Sequence, residues 1–221
     1  REMIIDQKLD LKVAVILGDD LIDRKDEFES IKEMYSDIDF PNKDKIASIN
    51  AYLGAFPIAE ALQNGADIVI TGRSVDSAVT LAACIYSFGW LDSDYDRLAS
   101  GSLAGHIIEC GTQSTGGNFT DWELVSENLH HIGYPIVEIE DSGAFNCTKS
   151  QKTSGLVNFG TVAEQMLYEI GDPQAYILPD VICDFSQVKI KELDKDIVRV
   201  TGANGYPAPK HYKVCATYAD G

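Results

Sequence analysis

Short apolar runs closed by glycine or carboxylate alternate with segments of helical period over the first ninety residues. The run KVAVIL at 12–17, broken by Gly18, Asp19 and Asp20, predicts a buried parallel strand and its C-terminal loop. From Arg24 to Tyr35 the residues Phe28, Ile31 and Met34 recur at the spacing of one helical face. A turn at Pro41-Asn42 precedes a second strand over 46–52. Pro57 then sits where a helix starts and Asn64-Gly65 where it ends. DIVIT at 67–71 predicts a third strand, Gly72-Arg73-Ser74 a turn, and 75–88 an apolar helix stopped by Gly89. Three such alternations predict right-handed βαβ crossovers and a parallel sheet.

The cluster Asp92-Ser93-Asp94 starts a further helix, with a break at Gly101, leading into GSLAGHIIECGTQSTGGNFTDW at 101–122. Leu103, Ala104, Ile107, Ile108 and Cys110 cover most of that surface, leaving one polar stripe of Ser102, His106, Glu109 and Gln113. A solvated helix face is the ordinary reading of such a stripe. Two features favour a buried pocket wall: no Lys or Arg lies between Arg97 and Lys149, and Gly101, Ala104, Gly105 and Ile108 offer flat ground for another element. Gly116 and Gly117 mark a loop after the helix.

Past Trp122 an acidic segment carries His130-His131, which point to different sides of any regular element and read as surface residues. Ile136 to Ile139 is a short strand, and Thr161-Val-Ala-Glu164 a capping box opening a helix to Ile170. From Pro179 the pattern changes to short alternating runs, 181–185, 188–193, 197–201 and 212–218, with a hairpin at 194–196. The fold class is α/β: a parallel sheet with flanking helices over 1–150, then a smaller antiparallel α+β region over 151–221. The boundary is soft, near 145–178, and one domain is compatible with it.

Composition adds constraints. With 221 residues, 45% hydrophobic, the chain can bury a proper core. Its 35 acidic against 18 basic residues, net −17, repel nucleic acid and anionic membranes. No run approaches the ~20 apolar residues of a membrane span. Five dispersed cysteines, Cys84, Cys110, Cys147, Cys183 and Cys215, make no CxxC and read as free thiols in a reducing, cytoplasmic compartment. No GxGxxG or Walker loop lies at the expected strand ends, so no dinucleotide or ATP fingerprint is present.

Several residues have chemical and structural readings side by side. Asp19 and Asp20 suit a divalent cation or, more commonly, a turn cap. Arg73, the only basic residue between Lys45 and Arg97, suits a carboxylate or phosphate, or a salt bridge to Asp76 or Asp67. Lys149 and Lys152 before Ser154-Gly155 suit a phosphate or an ordinary loop. Cys110 suits a thiolate nucleophile, but a packed cysteine is the commoner case.

The strings GADIVITGRSVDSA at 65–78, DRLASGSLAGHIIECGTQSTGG at 96–117, GTVAEQMLYEIGDP at 160–173 and YADG at 218–221 resemble the acyclic terpene utilisation (AtuA) family. The likeness covers most of the chain, which resembles the central and larger part of such a protein. It implies a catabolic pathway running through branched acyl-CoA thioesters. Arg73, Asp76, His106, Glu109, Cys110, Gly116 and Gly117 match the family's motifs.

The resulting expectation is an enzyme acting on branched-chain or isoprenoid acyl-CoA thioesters, of hydratase or lyase type. His106 would be the base and Glu109 the acid or orienting group, with Arg73, Asp76, Gly116 and Gly117 binding substrate. The alternative is a non-catalytic subunit or scaffold binding an acyl-CoA enzyme partner. Expected partners are the acyl-CoA substrate, further copies of the chain, or an acyl-CoA carboxylase-like protein, with no resident cofactor.

Overall fold

A computed structural model describes residues 2–219. In chain order the elements begin with α1 (Glu2–Asp6), β1 (Val13–Ile16), β2 (Ile46–Ala51), α2 (Phe56–Gln63), β3 (Ile68–Thr71), α3 (Ala78–Phe88) and α4 (Tyr95–Glu109). They continue with β4 (Pro135–Ile139), β5 (Phe145–Lys149), α5 (Phe159–Leu167), β6 (Tyr176–Ile177) and β7 (Ile182–Asp184). The last are β8 (Lys189–Asp194), β9 (Ile197–Thr201), β10 (Asn204–Tyr206) and β11 (Val214–Tyr218). The fold is mixed α/β, with one small parallel sheet and several antiparallel ones. The chain forms two compact units: residues up to Val75 together with those from Lys210 onward, and Asp76–Pro209. The change of pattern near 145–178 therefore falls inside the second unit.

In the first unit β1 and β3 pair in parallel, Val13 opposite Ile68 and Ile16 opposite Thr71. Helix α2 packs on the pair and buries Ile58, Ala59 and Ala61. It starts at the expected proline and ends at Asn64. The opposite face of the pair stays exposed at Val15, Leu17, Ile68 and Ile70. The second predicted strand does not join this sheet: β2 pairs antiparallel with β11. Its polar positions explain the difference, since a parallel strand is buried on both faces. Ser48 hydrogen-bonds the Thr217 hydroxyl at 2.7 Å, and Asn50 donates to Asp19. The helix predicted over Arg24–Tyr35 is also corrected. Only Ile22–Phe28 coils, as a 3₁₀ helix, and turns follow. Phe28 stacks on Phe40, while the Glu33 carboxylate accepts from the Tyr35 and Ser36 amides. Local side-chain bonding of this kind competes with helix formation.

In the second unit α4 is the central element. Ten consecutive residues from Leu98 to Ile107 are buried. The predicted break at Gly101 is absent, because a side chain there would strike Leu81 and Trp90, at 2.8 and 2.9 Å from a Cβ. Helix α3 lies against α4 and ends at Gly89 in a left-handed conformation. An antiparallel sheet of order β4-β5-β9-β8 contributes Phe145, Cys147, Val198 and Val200 to the core. Each such buried apolar side chain contributes about 1.5–3 kcal/mol. Strands β10, β7 and β6 form a second sheet, which touches α4 through β10 and β7. The N-terminal cap of α5 lies three residues before the predicted one. Asn158 accepts from the Thr161 amide and Thr161 from the Asn158 amide, while Glu164 accepts from the Thr120 amide.

Candidate functional site

The flat ground on α4 decides where its polar stripe goes. A Cβ on Gly105 would stand 2.8 Å from the Ser77 backbone, so the start of α3 lies directly on the helix. Ser102 and His106, on the same helix, are buried, at 1% and 2% exposure. The stripe is a buried wall rather than a solvated face.

Within it, His106 Nδ1 and Glu109 Oε1 lie 3.0 Å apart. An ionised carboxylate only accepts, so Nδ1 carries the hydrogen and Nε2 keeps its lone pair when the ring is neutral. Nε2 is buried and has no hydrogen-bond partner among the described residues. The backbone behind it is fixed: Gln165 donates to the His106 carbonyl at 2.8 Å, and Gln113 donates to Gln165 at 3.1 Å. All four stripe residues are thus accounted for, with Ser102 one turn away. The Ser102 hydroxyl lies beside the Cys183 thiol; burial pushes that thiol up, and Ser102 opposes the rise. It makes no well-formed hydrogen bond among the described residues.

Two residues joined the site that sequence reading missed. Gln165 had a signal, a polar side chain on the apolar face of α5 beside Val162. Tyr176 had none, lying in a two-residue strand, β6. Its ring is tilted against His106, 6.1 Å between centroids, and also against Phe185, 6.0 Å away. Burial pushes the Tyr176 phenol up strongly, and the charges of Glu109, Cys183, Asp76 and Glu169 push it further. Asp76 therefore lies within electrostatic reach of the same cluster.

The other sequence candidates have distinct settings. Gly116 and Gly117 line a pocket of ≈ 390 Å³ with Phe119, Trp122, Val125 and Leu129. Their amides already donate to the carbonyls of Gln113 and Thr112, at 3.0 and 2.8 Å. The glycines thus form a wall, and their N–H groups are engaged rather than offered to an oxyanion. Arg73 belongs to the first unit, where its guanidinium lies 4.5 Å over the Tyr52 ring. Its amide donates to Asp19, and that bond is the largest cause of a lowered Asp19 pKa. Asp20 accepts from the Ile22 amide. Both aspartates thus act as caps, and no group of three His, Cys, Asp or Glu is arranged for a metal among the described residues. Lys149 bonds the Thr153 carbonyl and pairs with Asp196 at 3.4 Å. His130 and His131 are exposed, and His131 bonds the Lys152 carbonyl. Cys84 and Cys147 are buried, their thiols pushed up to about 11 and about 12 by desolvation. No helix among the described residues is long and apolar enough to cross a membrane.

No curated protein and no solved structure matches the chain. The sequence model described as "Acyclic terpene utilisation family protein AtuA" matches residues 1–221, the whole length. The chain belongs to the acyclic terpene utilisation family AtuA.

Proposed function

We propose that this chain acts on branched-chain or isoprenoid acyl-CoA thioesters, adding or removing water at the carbon β to the thioester. Family membership ties the chain to acyclic terpene utilisation. The observation that carries the reading is the buried His106 Nε2, without a partner among the described residues, on a ring whose other nitrogen is held by Glu109. A neutral imidazole in that state is a base ready to accept a proton. In the dehydrating direction Nε2 takes the proton from the carbon α to the thioester, and charge moves onto the thioester oxygen. The imidazolium then passes that proton to the departing hydroxyl, releasing water and leaving the imidazole neutral. Glu109 steadies the imidazolium while it exists and fixes the ring's direction. Asp76, and the wall formed by Gly116 and Gly117, serve substrate binding in this reading.

A second reading, a non-catalytic subunit or scaffold, is favoured by one observation. The exposed face of the β1–β3 pair presents Val15, Leu17, Ile68 and Ile70 together, as a partner-binding surface would. A mass-spectrometric screen of acyl-CoA thioesters for gain or loss of water separates the two. The enzyme reading expects turnover that falls roughly 10²–10⁴-fold in His106→Ala, with unchanged circular dichroism. Turnover unaffected by His106→Ala removes the proposed base. No turnover across the panel, with capture of an acyl-CoA enzyme, supports the subunit.

A further inference from the structure

Three polar side chains meet where the β10-β7-β6 sheet lies on α4. Across that sheet Tyr176 stands opposite Cys183, and Cys183 opposite Gly205. Directly opposed residues share a face, and this row runs along the helix. The Tyr176 ring lies against His106, Cys183 lies beside Ser102, and the Gly205 amide donates to the Asp96 carboxylate at 2.9 Å. Ser102, His106 and Cys183 are all buried.

Two of the three are unmatched. Neither Ser102 Oγ nor His106 Nε2 has a hydrogen-bond partner among the described residues. They stand four residues apart on one helix face, a spacing that puts Cβ atoms about 5–6 Å apart. The ring is set by its other nitrogen, since Nδ1 faces Glu109, toward the helix C-terminus, at 3.0 Å. Nε2 is on the far side of the ring, and helical side chains lean toward the N-terminus. It therefore lies over the turn that carries Ser102. The hydroxyl has the hydrogen that Nε2 lacks, but a serine side chain is too short to close the gap. One water molecule, with bonds of about 2.8 Å on each side, spans it. Ser102 and Cys183 are small residues, which leaves room for a molecule of that size. Enclosure by protein and two to four polar partners are what an ordered internal water needs.

We propose that α4 and β7 enclose a bound water molecule that bridges Ser102 Oγ and His106 Nε2. The water oxygen accepts the Ser102 hydrogen, one water hydrogen goes to Nε2, and the other faces the Cys183 sulfur, a weak acceptor. The water holds the neutral ring in its Nδ1–H tautomer and gives the Nε2 lone pair a partner that can leave. This site does not rest on the acyl-thioester reading. It follows from the burial of α4 and from the two unmatched atoms one turn apart.

Crystals of the full chain, diffracting well enough to show ordered water, test this directly. A density peak is expected within about 3.2 Å of both Ser102 Oγ and His106 Nε2. Ser102→Ala removes the hydroxyl with little change of shape, and the peak should then be lost or leave Nε2. The urea midpoint supplies a second reading, with a sign that decides. A bridged hydroxyl contributes to stability, so Ser102→Ala should lower the midpoint. An unmatched buried hydroxyl detracts from stability, so its removal would raise it. No peak in the unsubstituted chain, or a peak touching only one of the two atoms, overturns the proposal whether or not the variant folds. A raised midpoint in Ser102→Ala, or a peak unmoved by it, overturns the bridge. Thioester turnover has no bearing on these outcomes, so this proposal and the proposed function fail separately.

Discussion

At the scale of single residues, Asp19 and His106 show how one functional group serves opposite ends. The Asp19 carboxylate is held by two donors: the Arg73 amide and the Asn50 side chain both donate to Oδ2, at 2.7 and 3.0 Å. Its pKa is lowered in the folded chain, chiefly by the Arg73 amide. A depressed carboxyl contributes stability above its unfolded value, and that contribution is lost as pH falls through the folded value. Asp19→Asn keeps an acceptor oxygen and loses the charge. The unsubstituted chain should therefore exceed the variant in urea midpoint at neutral pH, with the gap closing below about pH 4. A gap independent of pH would show that the charge is not what the Arg73 amide and Asn50 stabilise. His106 is the reverse case, with one nitrogen satisfied by Glu109 and the other not, among the described residues. Leaving a buried polar atom unmatched costs about 1–3 kcal/mol, which is tolerable where a ligand supplies the match.

At the scale of elements, α4 is defined by what it lacks. A glycine inside a helix costs up to ~1 kcal/mol against alanine, so Gly101 and Gly105 are liabilities by propensity alone. Packing reverses the balance. At Gly105 the atoms a Cβ would meet are the Ser77 backbone, at 2.8 Å, which cannot swing aside as a side-chain tip would. Overpacking of this kind costs about 1–3 kcal/mol and outweighs the propensity gain. Gly105→Ala is therefore expected to lower stability to chemical denaturation by about 1–2 kcal/mol net. A variant as stable as the parent, or more so, would mean that α3 and α4 are not in such close contact. The helix's polar stripe was legible in the spacing of Ser102, His106, Glu109 and Gln113. The neighbours that bury it were not, because Ser77 and Cys183 carry no local sign of where they dock.

At the scale of the whole molecule, charge is the dominant physical fact. Thirty-five acidic residues face eighteen basic ones. Close ion pairs such as Arg24–Glu27 and Lys43 with Asp26 and Glu29 draw on the few cations available. Surface pairs of this kind contribute little individually and leave the net charge of −17 unchanged, so the acidic excess acts as self-repulsion. Raising ionic strength from about 0.01 to about 0.15 M shortens the Debye length from roughly 30 to 8 Å and should raise the melting temperature. A melting temperature that falls over this range would show that specific ion pairs outweigh the repulsion. The same acidic excess disfavours the binding of anions at the surface.

Local spacing determined the position of α2, the end of α3 at Gly89, the hairpin between β8 and β9, the acidic balance, and the grouping of an imidazole and a carboxylate on one helix face. Each depends only on residues a few positions apart, which the chain's own periodicity records. Tertiary structure alone decided that β2 pairs with β11, that the segment after Phe28 turns instead of coiling, and that the α4 stripe is buried. It also brought Tyr176 to His106. These are contacts between distant segments, selected by which surfaces fit and which polar atoms find partners, and no repeat along the chain encodes them.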